Sequence, residues 1–310
     1  MKRVISALIL APLVFAAVLW LKPWVFSIAV GFVALIAADE FLNISQAAGF
    51  PPARYVTMFF VALLFVAFPL RSSGWFSEAQ WTRISGGMFW GVQRFPQLLI
   101  AIIIATTFFA LLFAMRRHGG QAVDEDLHTA FAGAAVSVLA IPYIALTLGS
   151  LVLLKTLAFG PFLLIYLFIV VWSGDIFAYY AGRTFGRHHL APRISPKKTW
   201  EGAAASFVSS IILGTLWFSF AAPITAWMAK INAVQFGTAE PRALWRIAAL
   251  CAVLNIVAQL GDLFESFIKR AAGVKDSGTI IPGHGGLLDR IDALLFAAPL
   301  LWWYALLTNL

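Results

Sequence analysis

Charged residues are scarce in this sequence. They make up 12% of its 310 residues, against 61% that are hydrophobic. A soluble domain carries about 25% charged residues, so an ordinary soluble globular fold is excluded. Cysteine is nearly missing as well. Cys251 stands alone in an apolar run, which excludes an intrachain disulfide and leaves the redox compartment unread. No internal repeat and no low-complexity linker breaks the chain. Bases outnumber acids, 22 to 14, for a net charge of +8. They form no basic domain outside the apolar segments, so nucleic acid is not an expected partner. The excess suits an anionic membrane surface or anionic substrates.

Long apolar runs are abundant. A membrane-spanning helix needs about 20 mostly apolar residues. The candidates are 4–21, 24–42, 55–70, 97–115, 131–153, 157–180, 203–222, 246–264 and 288–308. The fold class they imply is all-α, a polytopic integral membrane helical bundle of about nine transmembrane helices. Lys2 and Arg3 precede the first run as in a signal peptide, but the spans that follow favour a retained first helix. By motif content the chain divides into 1–130, spans with no specific motif, and 131–310, spans that carry the chemistry, within one integral domain. With the N-terminus in the cytoplasm, 14 of the 22 Lys and Arg lie inside and 8 outside, in keeping with the positive-inside bias. Trp20, Trp24, Trp75, Trp81 and Trp90 fall near span ends, where an aromatic belt is expected.

The densest chemistry lies between Gln259 and Asp292, where five acids, four bases and a histidine separate two apolar spans. Ionisable groups at the edge of lipid are costly to keep and point to function. Asp262, Glu265, Ser266 and Lys269 follow i, i+3, i+4, i+7 spacing, one face of a helix. Pro282 to Gly286 supplies a flexible turn, and Asp289, Arg290 and Asp292 open the last helix. Mg²⁺ favours one or two carboxylates plus substrate phosphates. Asp262 and Asp289 are candidates for that role, with Glu265, Asp276 and Asp292 in reserve. The glycines of 283–286 could bring backbone N–H groups to a phosphate. The plainer alternative is a set of ion pairs, such as Glu265 with Lys269, tying a loop together.

A second stretch runs from Asp175 to Gly202. Asp175 is expected at the end of an apolar helix, with Tyr179 and Arg183 on its face. Ser195-Pro196-Lys197-Lys198-Thr199 is expected to open the next helix, setting two lysines beside helix-start amides as an anion site. Arg187 and Arg193 read as topology signals. Asp39 and Glu40 either support the site or cap a helix. Asp124-Glu125-Asp126 reads as a solvated loop, and His188 and His189 as polar loop residues.

Residues 259–292 closely resemble the C-terminal signature of the CDP-diacylglycerol synthases, the phosphatidate cytidylyltransferases. Ser266, Lys269-Arg270, Lys275-Asp276, His284-Gly285-Gly286, Asp289-Arg290 and Asp292 fill that signature without a departure. The stretch from Asp175 through Ser195–Thr199 to Glu201-Gly202 also looks like this family, although His188 stands where many members carry a lysine. The matched motifs cover about 40% of the chain. The resemblance implies the reaction of CTP with phosphatidate, giving CDP-diacylglycerol and diphosphate, with Mg²⁺ alone or beside a second cation. It further implies a homodimeric, all-helical membrane enzyme whose metal-site aspartates map to Asp262 and Asp289.

On that reading the lipid phosphate is an ionised nucleophile, so catalysis is positioning and charge neutralisation. The expected catalytic set is Asp262, Asp289, Lys198, Lys269 and Arg290. Expected substrate contacts are Asp175, Tyr179, Arg183, Ser195, Lys197, Lys198, Thr199, Ser266, Lys269, Arg270, Lys275, His284, Gly285, Gly286 and Arg290. Membrane lipids are further partners. The implied location is a bacterial inner (plasma) membrane, with the site facing the cytoplasm. Rival readings are a CTP-dependent polyprenol or phytol kinase, and a secondary transporter, which would usually show repeats and mid-span charges. The D-G-x-x-A-R…G-x-x-x-D-x-x-x-D pattern of CDP-alcohol phosphotransferases is absent.

Overall fold

Lipid offers no partner to a free backbone N–H or C=O, so apolar runs in a membrane resolve as helices. The structure, a computed structural model, describes residues 2–71, 90–118, 127–234, 242–280 and 285–308. Every segment expected to span is helical. The elements are α1 (Lys2–Trp20), α2 (Pro23–Ala47), α3 (Arg54–Arg71), α4 (Trp90–His118) and α5 (Leu127–Ala140). A π-helical turn, Ile141–Leu146, carries α5 into α6 (Thr147–Lys155). Then come α7 (Gly160–Phe185), strands β1 (His189–Ala191) and β2 (Ser195–Thr199), α8 (Trp200–Ser219), α9 (Ala221–Lys230), α10 (Leu244–Ala271) and α11 (Leu288–Thr308). Seven described stretches are long and apolar enough to cross a membrane, and Leu10–Trp20 and Arg54–Phe68 are shorter apolar helices. The chain is a multi-pass membrane protein of helices, with one small hairpin among the described residues.

Local sequence sets these boundaries. Pro23 and Pro161 stand in the first turns of α2 and α7, where a missing N–H costs nothing. Pro142 lies in the π turn; it has no N–H to give the ladder, and the turn there is widened. α8 ends at Ser219, before the expected limit of 222, and the short α9 follows at once.

The chain forms two units. The first comprises Met1–Leu21, Leu153–Arg270 and Asp289–Leu310. Its centre is α7, whose Phe162, Leu163, Leu164, Tyr166, Leu167 and Val170 are buried. α8 meets α7 through small residues at four-residue steps: Gly202, Ser206, Ser210 and Gly214 are all buried. Such spacing lets helix backbones approach in lipid. α10 closes on them through amides. Asn255, 1% exposed, donates from Nδ2 to Ser206 Oγ at 2.9 Å and to Ser210 Oγ at 2.8 Å. Gln259 Nε2 in turn donates to Asn255 Oδ1 at 2.5 Å. α10 and α11 pack closely at Gly261, where a Cβ would lie 2.7 Å from the Asp292 carbonyl oxygen.

The second unit comprises Lys22–Val152 and Ala271–Leu288. α2 buries Val30, Ala34, Ala37, Ala38, Phe41 and Leu42. Gly31 admits Phe65 of α3, and Ser27 Oγ donates to the Phe65 carbonyl at 2.8 Å. α4 leaves Ile100, Ile104, Phe108 and Leu111 exposed along one side, the face that apolar side chains turn to lipid.

Candidate active site

α7 does not stop at Asp175. No proline or stop signal follows until Gly186, whose amide still bonds to the Gly182 carbonyl at 3.1 Å, so the helix runs on to Phe185. Tyr179 and Arg183 ride on this exposed extension, bonded to each other at 3.3 Å.

The helix start expected at Ser195 is also displaced. Residues 195–199 form β2, antiparallel to β1, with His189 opposite Thr199 and Ala191 opposite Ser195. Pro196 cannot donate to a ladder and suits an edge strand. Thr199 is the true N-cap: its Oγ1 accepts from the Gly202 amide at 3.2 Å. The lysines therefore precede the first turn of α8 and do not flank its free amides. The hairpin base is closed by the Trp200 amide on the His188 carbonyl at 2.9 Å and by His188 Nδ1 with Glu201 Oε1 at 2.6 Å. Arg270 Nε, at the end of α10, donates to the Ile194 carbonyl at 3.3 Å.

Strand alternation separates the two lysines. Lys197 points out and is exposed. Lys198 is half-buried, and its Nζ lies 2.6 Å from Asp262 Oδ2. Together with Asp175, Ala178, Leu190, Thr199, Ala203, Ser206 and Gln259, this pair lines a hollow of about 70 Å³. That volume takes a phosphate or a hydrated ion; a whole nucleotide needs the ~300 Å³ or more of a ligand pocket. The hollow mixes signs. Asp175 feels the negative charge of Asp262, offset by Lys198 and Arg290. Asp292 stands in the field of Asp262, Glu265 and Asp175.

One turn and more along α10, a second cluster forms. Lys269, 9% exposed, lies 2.5 Å from Glu265 and also bonds Asp289. Glu265 is 1% exposed, so the expected Glu265–Lys269 pair exists and is buried. Asp262 and Asp289 are thus tied to different lysines, Lys198 and Lys269.

The structure brings Asp175, Lys198, Thr199 and Asp262 together, and separately Lys269 with Asp289. Ser195 and Ser266 are half-buried, Arg290 is exposed, and Lys275 and Asp276 project from the loop after α10. Gly285 takes a φ of 81°, which favours glycine, and Gly286 is buried. His284, Asp124–Asp126, Trp75 and Trp81 lie outside the described residues. The sequence pattern omits one residue of the hollow and leaves a second residue undecided. Gln259 lines the hollow, and its position three residues before Asp262 on the same helical face was the available signal. Glu40, left open between support and capping, is buried and accepts hydrogen bonds from Ser277 and from the amides of Leu287 and Leu288.

Among the described residues, no three of His, Cys, Asp and Glu are gathered as a ready metal cluster. Two hard carboxylates on a small hollow nonetheless suit Mg²⁺, which keeps waters and takes further ligands from substrate phosphates.

The sequence model of the cytidylyltransferase family matches residues 1–308. The phosphatidate cytidylyltransferase of Haemophilus influenzae is 32% identical over 306 residues, 96% of each chain. That of Staphylococcus haemolyticus is 30% identical over 300 residues, again 96% of each. The phosphatidate cytidylyltransferase of Brucella abortus is 43% identical over 146 residues; this match spans 47% of each chain, about half the length of that relative.

Proposed function

From the premise that the chain belongs to the cytidylyltransferase family, we propose that it transfers the cytidylyl group of CTP to the phosphate of phosphatidate. A phosphate oxygen of the lipid forms the new bond to the α-phosphorus of CTP, and diphosphate leaves, giving CDP-diacylglycerol. The observation that carries this reading is the hollow in which Asp175, Lys198 and Asp262, all at motif positions, converge. Attack by an anion on a polyanion requires neutralised charge and held geometry more than proton transfer. Lys198 and Arg290 supply positive charge to the phosphates. Asp262, with Asp175 beside it, would hold Mg²⁺; Asp289, the other expected ligand, would first have to leave Lys269. A bound Mg²⁺ supplies charge stabilisation at the phosphoryl oxygens. The nine-span count, a homodimer, an inner-membrane location and a cytoplasmic site belong to the same proposal.

Incubating purified protein with labelled CTP and phosphatidate, with and without Mg²⁺, tests the reaction. CDP-lipid with diphosphate is the expected product pair. CDP with a phosphorylated alcohol, formed when a polyprenol replaces phosphatidate, would instead mark a lipid kinase.

The two lysines of β2 should separate in kinetics. Lys198→Gln is expected to lower kcat/KM for CTP by roughly 10²-fold, since its charge faces the hollow. Lys197→Gln should lose less. Wild-type values in both variants would reduce the hairpin to a topology signal.

Orientation is tested on the loop after α10. Sequence alone suggests a reporter at Ser277, but that side chain is 5% exposed and bonded to Glu40. Thr279 is exposed. With Cys251 replaced by Ala, a Thr279→Cys variant should resist an impermeant thiol reagent in intact cells and react in inverted vesicles. The reverse pattern overturns the cytoplasmic assignment.

A further inference from the structure

Glu40, in the last turns of α2, is 2% exposed. A carboxylate at that depth is costly unless donors surround it. Three donors do so. Ser277 Oγ donates to Oε2 at 3.0 Å, the Leu288 amide to Oε2 at 2.8 Å, and the Leu287 amide to Oε1 at 2.9 Å. Glycines clear the space: a Cβ on Gly278 would lie 2.6 Å from Oε1, and one on Gly286 would strike the same carboxylate. One side chain therefore ties both ends of the stretch 277–288, which contains the signature residues His284, Gly285 and Gly286.

The amides it engages belong to the start of α11. Helix starts leave such groups unsatisfied, and the helix dipole favours an anion there. Here the protein's own carboxylate fills that place. The Leu287 and Leu288 amides are thus taken by Glu40 and are not open to a substrate phosphate. The next two residues along the chain are Asp289 and Arg290.

We propose that Glu40 is a positioning residue for the cytidylyl transfer assigned above, a role that rests on that reading. It holds Ser277 together with the Leu287 and Leu288 amides and so fixes where α11 begins, the point from which the chain continues to Asp289 and Arg290. It acts through them and touches no substrate.

Glu40→Gln keeps the shape but turns one acceptor into a donor, so at least one of the three bonds is lost. Two measurements follow. In a chain carrying Cys251→Ala and Ser277→Cys, the thiol takes the buried place under Glu40. Adding Glu40→Gln should speed its reaction with a small permeant thiol reagent by at least about tenfold. In the otherwise native chain, Glu40→Gln should lower kcat by roughly 10–100-fold, the scale of losing charge-assisted hydrogen bonds. KM for CTP should move less than about threefold, and Glu40→Asp should recover part of the rate. Unchanged labelling and unchanged kcat would overturn the proposal. So would a rate loss that merely tracks loss of folded protein, with Glu40→Asp no better than Glu40→Gln. If the native chain forms no CDP-lipid, the reaction reading fails, while the labelling arm still decides the clamp.

Discussion

Asp262→Asn is expected to lower Mg²⁺-dependent turnover by at least about 10²-fold, the scale of losing a principal electrostatic term in a transition state. The asparagine keeps the side chain's shape and removes its charge. Two things go with that charge: the hard anion proposed to hold Mg²⁺ on the hollow, and the partner of Lys198, 2.6 Å away. The fold should survive. The side chain is 35% exposed, and the amide network of Asn255 and Gln259 beneath it is untouched. The check is product formation by purified protein across a Mg²⁺ series, beside its elution profile in detergent. Near-native Mg²⁺-dependent activity would remove Asp262 from the cation's ligands. Asp289→Asn should also lose activity. Its side chain is 8% exposed and bound to Lys269, so stability should fall along with rate.

Lys269→Gln should produce the largest loss of stability. The ammonium sits between Glu265 and Asp289, and both carboxylates are shielded from water. Deleting one partner of a buried ionic group leaves uncompensated charge and costs about 3–5 kcal/mol. Here two acids lose the same cation. Thermal unfolding in detergent, followed by loss of secondary structure, should report a lower midpoint. A second change, Glu265→Gln, should restore part of it by removing one of the stranded charges. The family resemblance instead implies that Lys269 contacts substrate. A Lys269→Gln protein as stable as the native one but weakened for CTP would favour that role over the structural one.

Most of the helices were legible because their signals are local. Twenty apolar residues in a row, or Asp262, Glu265 and Lys269 at i, i+3 and i+7, depend only on nearby sequence and on helix geometry. The hairpin was not legible, since Ser195 and Thr199 both resemble helix caps. Only the pairing with His189–Ala191 selects the later one. Partner choice was hidden for the same reason. The pattern makes Asp262 a candidate but cannot say that Lys198 faces it, or that Asp289 answers to a different lysine. Glu40 is the extreme case. Its hydroxyl donor, Ser277, is 237 residues away, and nothing near position 40 announces it.

The ladder from Gln259 through Asn255 to Ser206 and Ser210 also bears on how the protein is made. α10 enters lipid with the amides of Asn255 and Gln259 in its span, ahead of Asp262, Glu265 and Lys269 toward its C-terminal end. A polar side chain left unpaired in hydrocarbon is costly, so these amides need partners at hand. Synthesis runs from the N-terminus, so α8 has already been delivered, with its hydroxyls waiting, before α10 emerges. The later helix then partitions as a guest of the earlier one, and chain order itself supplies a docking platform for the span that carries Asn255 and Gln259.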